Sequence, residues 1–370
     1  MKSIGFSFLI LTIILSSCKV KQNTVAVPTA TQADQTPSAK KVIFLIGDGM
    51  GLTQISLLHQ QDNTSAFSRF KCIGLINTSS ASHKITDSAA GATAFACGSK
   101  TYNGAIGMGQ DSTPLETLAE FYHLSGKSTG VVSTSSVTHA TPASFYAHAK
   151  NRSLESEIAQ QLIESDLNFF AGGGRIHFKD HWANPGVQNW IIDTSDFLSI
   201  PFEFDYHKKH GFLLADDGMP RISEGRGTFL TDASRLAIEI LDQDTNGFFL
   251  MIEGSQIDWG GHANDAAYVE EEMKDFDQVL NMVLDYARKD GNTLVVVTAD
   301  HETGGLALTP KEVIKDSKTT SDYNIPVPKF NTGGHTSTLI PVFAFGPGAD
   351  AFMGIYQNND IYYKIRENVK

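Results

Sequence analysis

The chain has 370 residues, 41% of them hydrophobic and 19% charged, with 32 glycines, 12 prolines and 3 cysteines. That is ordinary globular composition, which excludes a collagen, a coiled coil, a disulfide scaffold and a wholly disordered chain. Its 29 basic and 41 acidic side chains give a formal net charge of −12. No broad basic face for nucleic acid is expected, and an anionic substrate would need local positive charge from metal ions or an arginine.

Residues 1–17 read as an export signal, with Lys2 at its start and an apolar run, Ile4 to Leu15, too short to span a bilayer. Leu15-Ser16-Ser17-Cys18 has the pattern of a bacterial lipobox, so Cys18 is expected to be lipidated and to begin the mature chain. Residues 18–40 are rich in Thr, Ala, Gln and Pro and read as a flexible tether. The expected location is therefore the cell envelope, lipid-anchored on the periplasmic side or at the outer membrane. Cys72 and Cys97 fit either a disulfide or two buried thiols.

The folded part, 41–370, opens with Lys41-Val42-Ile43-Phe44-Leu45-Ile46, a buried strand that ends in the turn Gly47-Asp48-Gly49. Apolar runs recur at 130–133, 168–171, 248–252, 293–298 and 341–345. Helical patterns lie between them at 115–122, 154–162, 233–241 and 265–288. This alternation predicts an α/β fold with a central, mostly parallel sheet flanked by helices. Residues 177–219 break the pattern and read as a small insertion decorating the sheet, and 311–329 as a shorter polar excursion.

Strand ends are where such folds place ligands. Asp48, Glu253, Asp258, His262, Asp300, His301 and His335 gather at or near them, and mixed Asp/His donors suit Zn²⁺ while an oxygen shell suits Mg²⁺. Asp258 and His262 would face one ion on a helix, but Gly260-Gly261 favours a loop. Ser88, followed by small residues, reads either as a nucleophile at a positive helix N-terminus or as a simple cap. Arg152 reads as a two-point phosphate clamp or a surface arginine.

Taken together and in order, these motifs resemble the alkaline phosphatase family. The resemblance is carried by Val42–Gly51, Thr86–Ala90, Lys100–Gly107, His139-Ala140-Thr141-Pro142-Ala143, Arg152, Glu253–Asp258, His262, Thr298–Glu302 and His335, and runs from about residue 41 to 350. It implies a three-layer fold and two Zn²⁺ and one Mg²⁺. Asp258, His262 and His335 would hold the first ion, Asp48, Asp300 and His301 the second, and Asp48, Thr141 and Glu253 the third. It further implies Ser88 as the nucleophile that becomes phosphoserine, Arg152 as the phosphoryl clamp, small phosphate monoesters as substrates, and a homodimer. His139 and Trp259 stand where well-studied bacterial members have Asp and Lys. A ligating His139 would shift the third site toward Zn²⁺ or Co²⁺.

The nearest alternative is another metallohydrolase of the superfamily, such as a phosphodiesterase. Arg152 favours the monoester, whose dianion offers an extra oxygen. Cys97-Gly98-Ser99-Lys100 lacks the Pro and Arg of a sulfatase. A non-catalytic binding lipoprotein would lack a nucleophile or a ligand, and none is missing.

Overall fold

The computed structural model describes residues 38–61, 64–194 and 208–368. The expected export signal 1–17, Cys18 and nearly all of the 18–40 tether lie outside these residues. The early strands are β1 (Lys41–Gly47), β2 (Cys72–Asn77), β3 (Ser128–Ser136), β4 (Phe169–Gly173), β5 (Trp190–Asp193), β6 (Lys209–Leu213) and β7 (Phe248–Gly254). There follow β8 (Thr293–Thr298), β9 (Glu302–Thr303), β10 (Ala307–Lys315), β11 (Lys318–Lys329), β12 (His335–Thr336), β13 (Ile340–Phe345) and β14 (Gly354–Gln357).

Among the described residues ten strands form one sheet in the order β14-β2-β13-β8-β1-β7-β3-β4-β6-β5. Only β13 runs against its neighbours; the other pairs are parallel. The central strands β1, β7 and β8 are buried apart from Lys41 at the start of β1, as their runs of Val, Ile, Leu and Phe require. Phe44 of β1 packs edge-on against Phe95 and Phe145, with ring centroids 5.6 and 6.0 Å away. Burying each such ring contributes roughly 1.5–3 kcal/mol.

Helices α1 (Leu52–Gln61), α2 (Ser88–Cys97), α3 (Leu118–Leu124), α4 (Ala140–Ala143), α5 (Glu155–Glu164), α6 (Phe229–Leu241), α7 (Gln256–His262), α8 (Ala266–Asp290) and α9 (Asp360–Glu367) complete the fold. The long α8 starts where Asp265 accepts from the backbone N–H of Ala267 and Tyr268, and stops at Gly291 in the left-handed region. No helix among the described residues is long and apolar enough to cross a membrane.

Three expectations change. Asp258 and His262 sit on a helix, α7, and not in a loop. A Cβ on Gly260 would meet the backbone nitrogen of Val269 at 2.8 Å, and one on Gly261 would meet Thr303 Cγ2 at 2.9 Å. These glycines permit close packing and do not break the helix. The stretch 177–219 does more than decorate the sheet, because β5 and β6 extend its edge. Residues 311–329 belong to a two-stranded ribbon, β10–β11. Its turn residues Asp316 and Ser317 both have positive φ, which suits the right-handed twist of a hairpin. Cys72 and Cys97 are both free thiols. Cys97 is sealed within α2, and Cys72 donates to Asp350 Oδ1 at 3.1 Å.

Candidate active site

The parallel registers bring the site together. Ile46 lies level with Glu253 on one side and Thr298 on the other, and Ser133 lies level with Glu253. The chain leaves β1 through Asp48, β8 through Asp300 and His301, and β3 through His139, all at the C-terminal end of the parallel strands. Gly49 makes the first exit possible. It has φ of +73°, and a Cβ there would lie 2.7 Å from Asp258 Cα.

Ser88 is the first residue of α2, and its cap is the preceding Asp87. Asp87 Oδ1 accepts from Ala90 N at 3.0 Å, while Oδ2 accepts from Gly104 N at 3.0 Å and from Arg152 Nη1 at 3.3 Å. Ser88 Oγ is therefore free of capping duty and stands 3.3 Å from His301 Nε2. Arg152 Nη2 donates to His139 Nε2 at 3.1 Å.

Three sets of donor atoms converge: Asp258, His262 and His335; Asp48, Asp258 and His301; and Asp48, His139 and Glu253. Asp300 Oδ2 lies 3.1 Å from His301 Nε2, and Thr141 Oγ1 donates to Asp48 Oδ2 at 3.5 Å. All the expected site residues thus gather in one region. Asp258 belongs to two of the sets, where the sequence placed it in one, and it stands with Asp48 and His301 where Asp300 was expected; Asp300 instead pairs with the His301 ring.

The donor chemistry fits metal ions. Asp48 Oδ1 and Glu253 Oε1 are fully buried and accept no hydrogen bond, a costly state for a carboxylate unless a cation faces it. Burial pushes Asp48 well above the usual carboxylate range, and the charges of Asp300, Asp258 and Glu253 add to it. Burial also pushes Glu253 up to about 7, against hydrogen bonds from Ser133 and Ser255. Burial acts to lower the His301 pKa, but Asp300 outweighs it and raises the ring above the ordinary histidine value. Without metal, protons supply the missing positive charge. His262 Nδ1 and His335 Nδ1 each face a backbone carbonyl, Gly333 O at 2.7 Å and Thr86 O at 2.9 Å. A carbonyl only accepts, so both Nδ1 atoms carry hydrogen. The two Nε2 atoms face each other at 3.1 Å, which requires a proton or a metal ion between them.

The sequence model of one family, described as alkaline phosphatase, matches residues 39–189 and 211–329. The chain belongs to the alkaline phosphatase family. It is 32% identical to alkaline phosphatase 3 of Bacillus subtilis, over 90% of each chain. To the alkaline phosphatase of Escherichia coli it is 27% identical, covering 89% of this chain and 85% of that one. The solved alkaline phosphatase of the Antarctic bacterium TAB5 is 50% identical and matches with a TM-score of 0.84, over 90% of this chain and 98% of that one. This alkaline phosphatase is a metal-dependent phosphate monoester hydrolase of the zinc- and magnesium-using kind.

Several contributors had no individual signal in the sequence. Thr303 Oγ1 donates to Asp258 Oδ1 at 2.5 Å and lies 3.2 Å from His301 Nδ1, joining two donor sets. Ser133 Oγ donates to Glu253 Oε2 at 2.6 Å and Ser135 Oγ at 3.3 Å. The run Ser133-Thr134-Ser135-Ser136 was the available hint. Hydroxyls that extend a fully buried strand need polar partners inside the protein.

Proposed function

We propose that this chain hydrolyses small phosphate monoesters through Ser88, with Asp258, His262 and His335 holding one Zn²⁺ and Asp48, Asp300 and His301 a second. Asp48, Thr141 and Glu253, with His139 beside them, would hold the third ion. The observation that carries the reading is Ser88 Oγ beside His301 Nε2, at the first turn of a buried helix and among carboxylate oxygens that lack partners. When bound, the ions supply the positive charge that favours ionised serine and steadies the oxygens on which charge develops.

The chain's own groups do the rest. Helix α2 fixes the Ser88 oxygen and points its positive end at the incoming anion. Arg152 has one hydrogen on each terminal nitrogen engaged by Asp87 and His139. The second hydrogen on each is left for two phosphoryl oxygens. The Ser88 oxygen bonds to phosphorus as the bond to the ester oxygen breaks. Water then displaces Ser88, releasing inorganic phosphate and restoring the hydroxyl.

His139 bears on the third ion. Burial and then the Arg152 guanidinium lower its ring to about 3, so it is neutral; its one lone pair accepts from Arg152, and ligation would exchange that hydrogen bond for the ion. Variants of the Antarctic enzyme with a histidine changed to glutamate or aspartate carry Mg in the M3 site. Native histidine at position 139 would favour Zn²⁺ or Co²⁺ over Mg²⁺ on the same reasoning. Lipidation at Cys18, placement in the cell envelope and a homodimer complete the reading. They rest on the lipobox pattern and on family habit.

The test is hydrolysis of p-nitrophenyl phosphate at alkaline pH as isolated, after chelation, and after adding Zn²⁺ and Mg²⁺ separately and together. Activity should vanish with the chelator and return with metal. Ser88→Ala should keep its metals and lose turnover by several orders of magnitude. Full turnover in that variant would exclude Ser88 as nucleophile.

A further inference from the structure

Glu302 follows His301 in the chain and has no role in the site described so far. It is 5% exposed. Its Oε1 accepts from Gln54 Nε2 and from Leu306 N, both at 3.0 Å, and its Oε2 accepts from Thr336 Oγ1 at 2.5 Å. Gln54 also donates to Thr303 O at 3.0 Å and accepts from Gly51 N at 3.1 Å. One carboxylate therefore ties three separate stretches: the start of α1, just past the Asp48 turn; the exit from β8, just past Asp300 and His301; and the residue next to His335.

The third tie matters most. His335 arrives on β12, only two residues long, which pairs with β9 so that His335 faces Thr303 and Thr336 faces Glu302. So short a ladder fixes little by itself. The His335 ring is steadied at Nδ1 by Thr86 O and by stacking on His301 at 3.5 Å between centroids. Its backbone is steadied by the Thr336 bond to Glu302. All three donors to Glu302 are neutral, and a carboxylate offers them an acceptor-only surface with room for each.

We propose that Glu302 is a positioning residue. Through Thr336 it sets His335, and so the metal affinity of the group Asp258, His262 and His335, without touching substrate. This inference rests on the metal-site reading above. Substitutions behind a metal ligand cost roughly 10–100-fold in affinity, and that range applies here.

The experiment is zinc binding by the whole protein, measured by competition with a chelator and requiring no turnover. In Glu302→Ala, one zinc equivalent should weaken by roughly 10–100-fold while the other ions keep their affinity. Glu302→Gln should restore most of it. Its amide oxygen can still accept from Gln54 and Leu306, and its amide nitrogen can donate to Thr336. Thr336→Val removes the Oε2 contact, together with an exposed one to Thr338 Oγ1 at 3.0 Å, and should weaken the same equivalent by less. It decides the matter alone should the alanine variant not fold. Unchanged affinity in a folded Glu302→Ala, or equal weakening of every equivalent, would overturn the proposal. An unmodified protein that binds no zinc would instead sink the metal-site reading itself.

Discussion

Asp48, Glu253, Asp300 and His301 are wholly buried where the chain leaves three adjacent strands, whereas His262 and His335 stand on a short helix and a two-residue ladder, their side chains 41% and 16% exposed. The deep end inherits its geometry from sheet hydrogen bonds that the whole core supports. The outer end is assembled from short elements, α7 and β12, and its order depends on a few polar contacts. The deep end also holds the unpaired oxygens. There, charge is concentrated and water is excluded, so a cation is needed most. The outer end is where a leaving group and solvent can enter. Position is thus separated from access within one cluster.

The strongest way to break this contrast is Asp48→Asn. Asp48 belongs to two donor sets, so the variant should lose two ions together, by more than the roughly 10–100-fold that outer contacts cost. Phosphatase activity should disappear with them. Metal analysis after equilibrium dialysis checks it, and two ions retained would mean that Asp48 does not bridge. His262→Ala should act more narrowly. It should weaken one zinc and slow turnover while the buried sets keep their ions. If all three ions leave together, the two ends are not separable.

The smallest effect is on stability without metal. Burial raises Glu253 from 4.5 to about 7, so the folded protein binds that proton more tightly than the unfolded chain. The contribution is present at acid pH and is lost as pH rises through about 4.5 to 7. Chelated protein should therefore show a steeper fall in Tm from pH 5 to pH 8 than chelated Glu253→Gln does. Equal slopes would remove the argument. Metal-loaded protein of unaltered sequence should show a shallower fall, because a bound cation keeps Glu253 ionised.

The deep end was the more legible of the two. Runs such as Val42–Ile46 and Thr293–Val297 declare buried parallel strands, and a carboxylate just past such a run has few other places to go. The outer end was harder. Gly260 and Gly261 read as helix breakers, yet they lie in α7, and they are glycine where Val269 and Thr303 leave no room for a Cβ. That contact joins residues far apart in the chain and leaves no local trace. The Asp316-Ser317 turn was missed because the usual Asn-Gly or Asp-Gly pair is absent. Strand β3 was expected to stop at Ser133 and runs on to Ser136, the Ser133 and Ser135 hydroxyls meeting Glu253 and each other, Thr134 accepting from Ser255 N and Ser136 pairing with Thr138. Thr303 acts only once its segment meets α7, and Glu302 only once it meets Thr336.

Two of the site's four histidine rings, His335 and His262, are oriented by main-chain carbonyls, at Thr86 and Gly333, and this bears on how the site tolerates change over time. Any residue brings a carbonyl. Side chains at 86 and 333 are thus free to drift without moving the hydrogen on either imidazole, provided the path of the chain is kept. His301 relies on the Thr303 hydroxyl, which a single substitution can delete. The instruction for the outer histidines is written in the route of the backbone, and for the inner one in a single letter of the sequence.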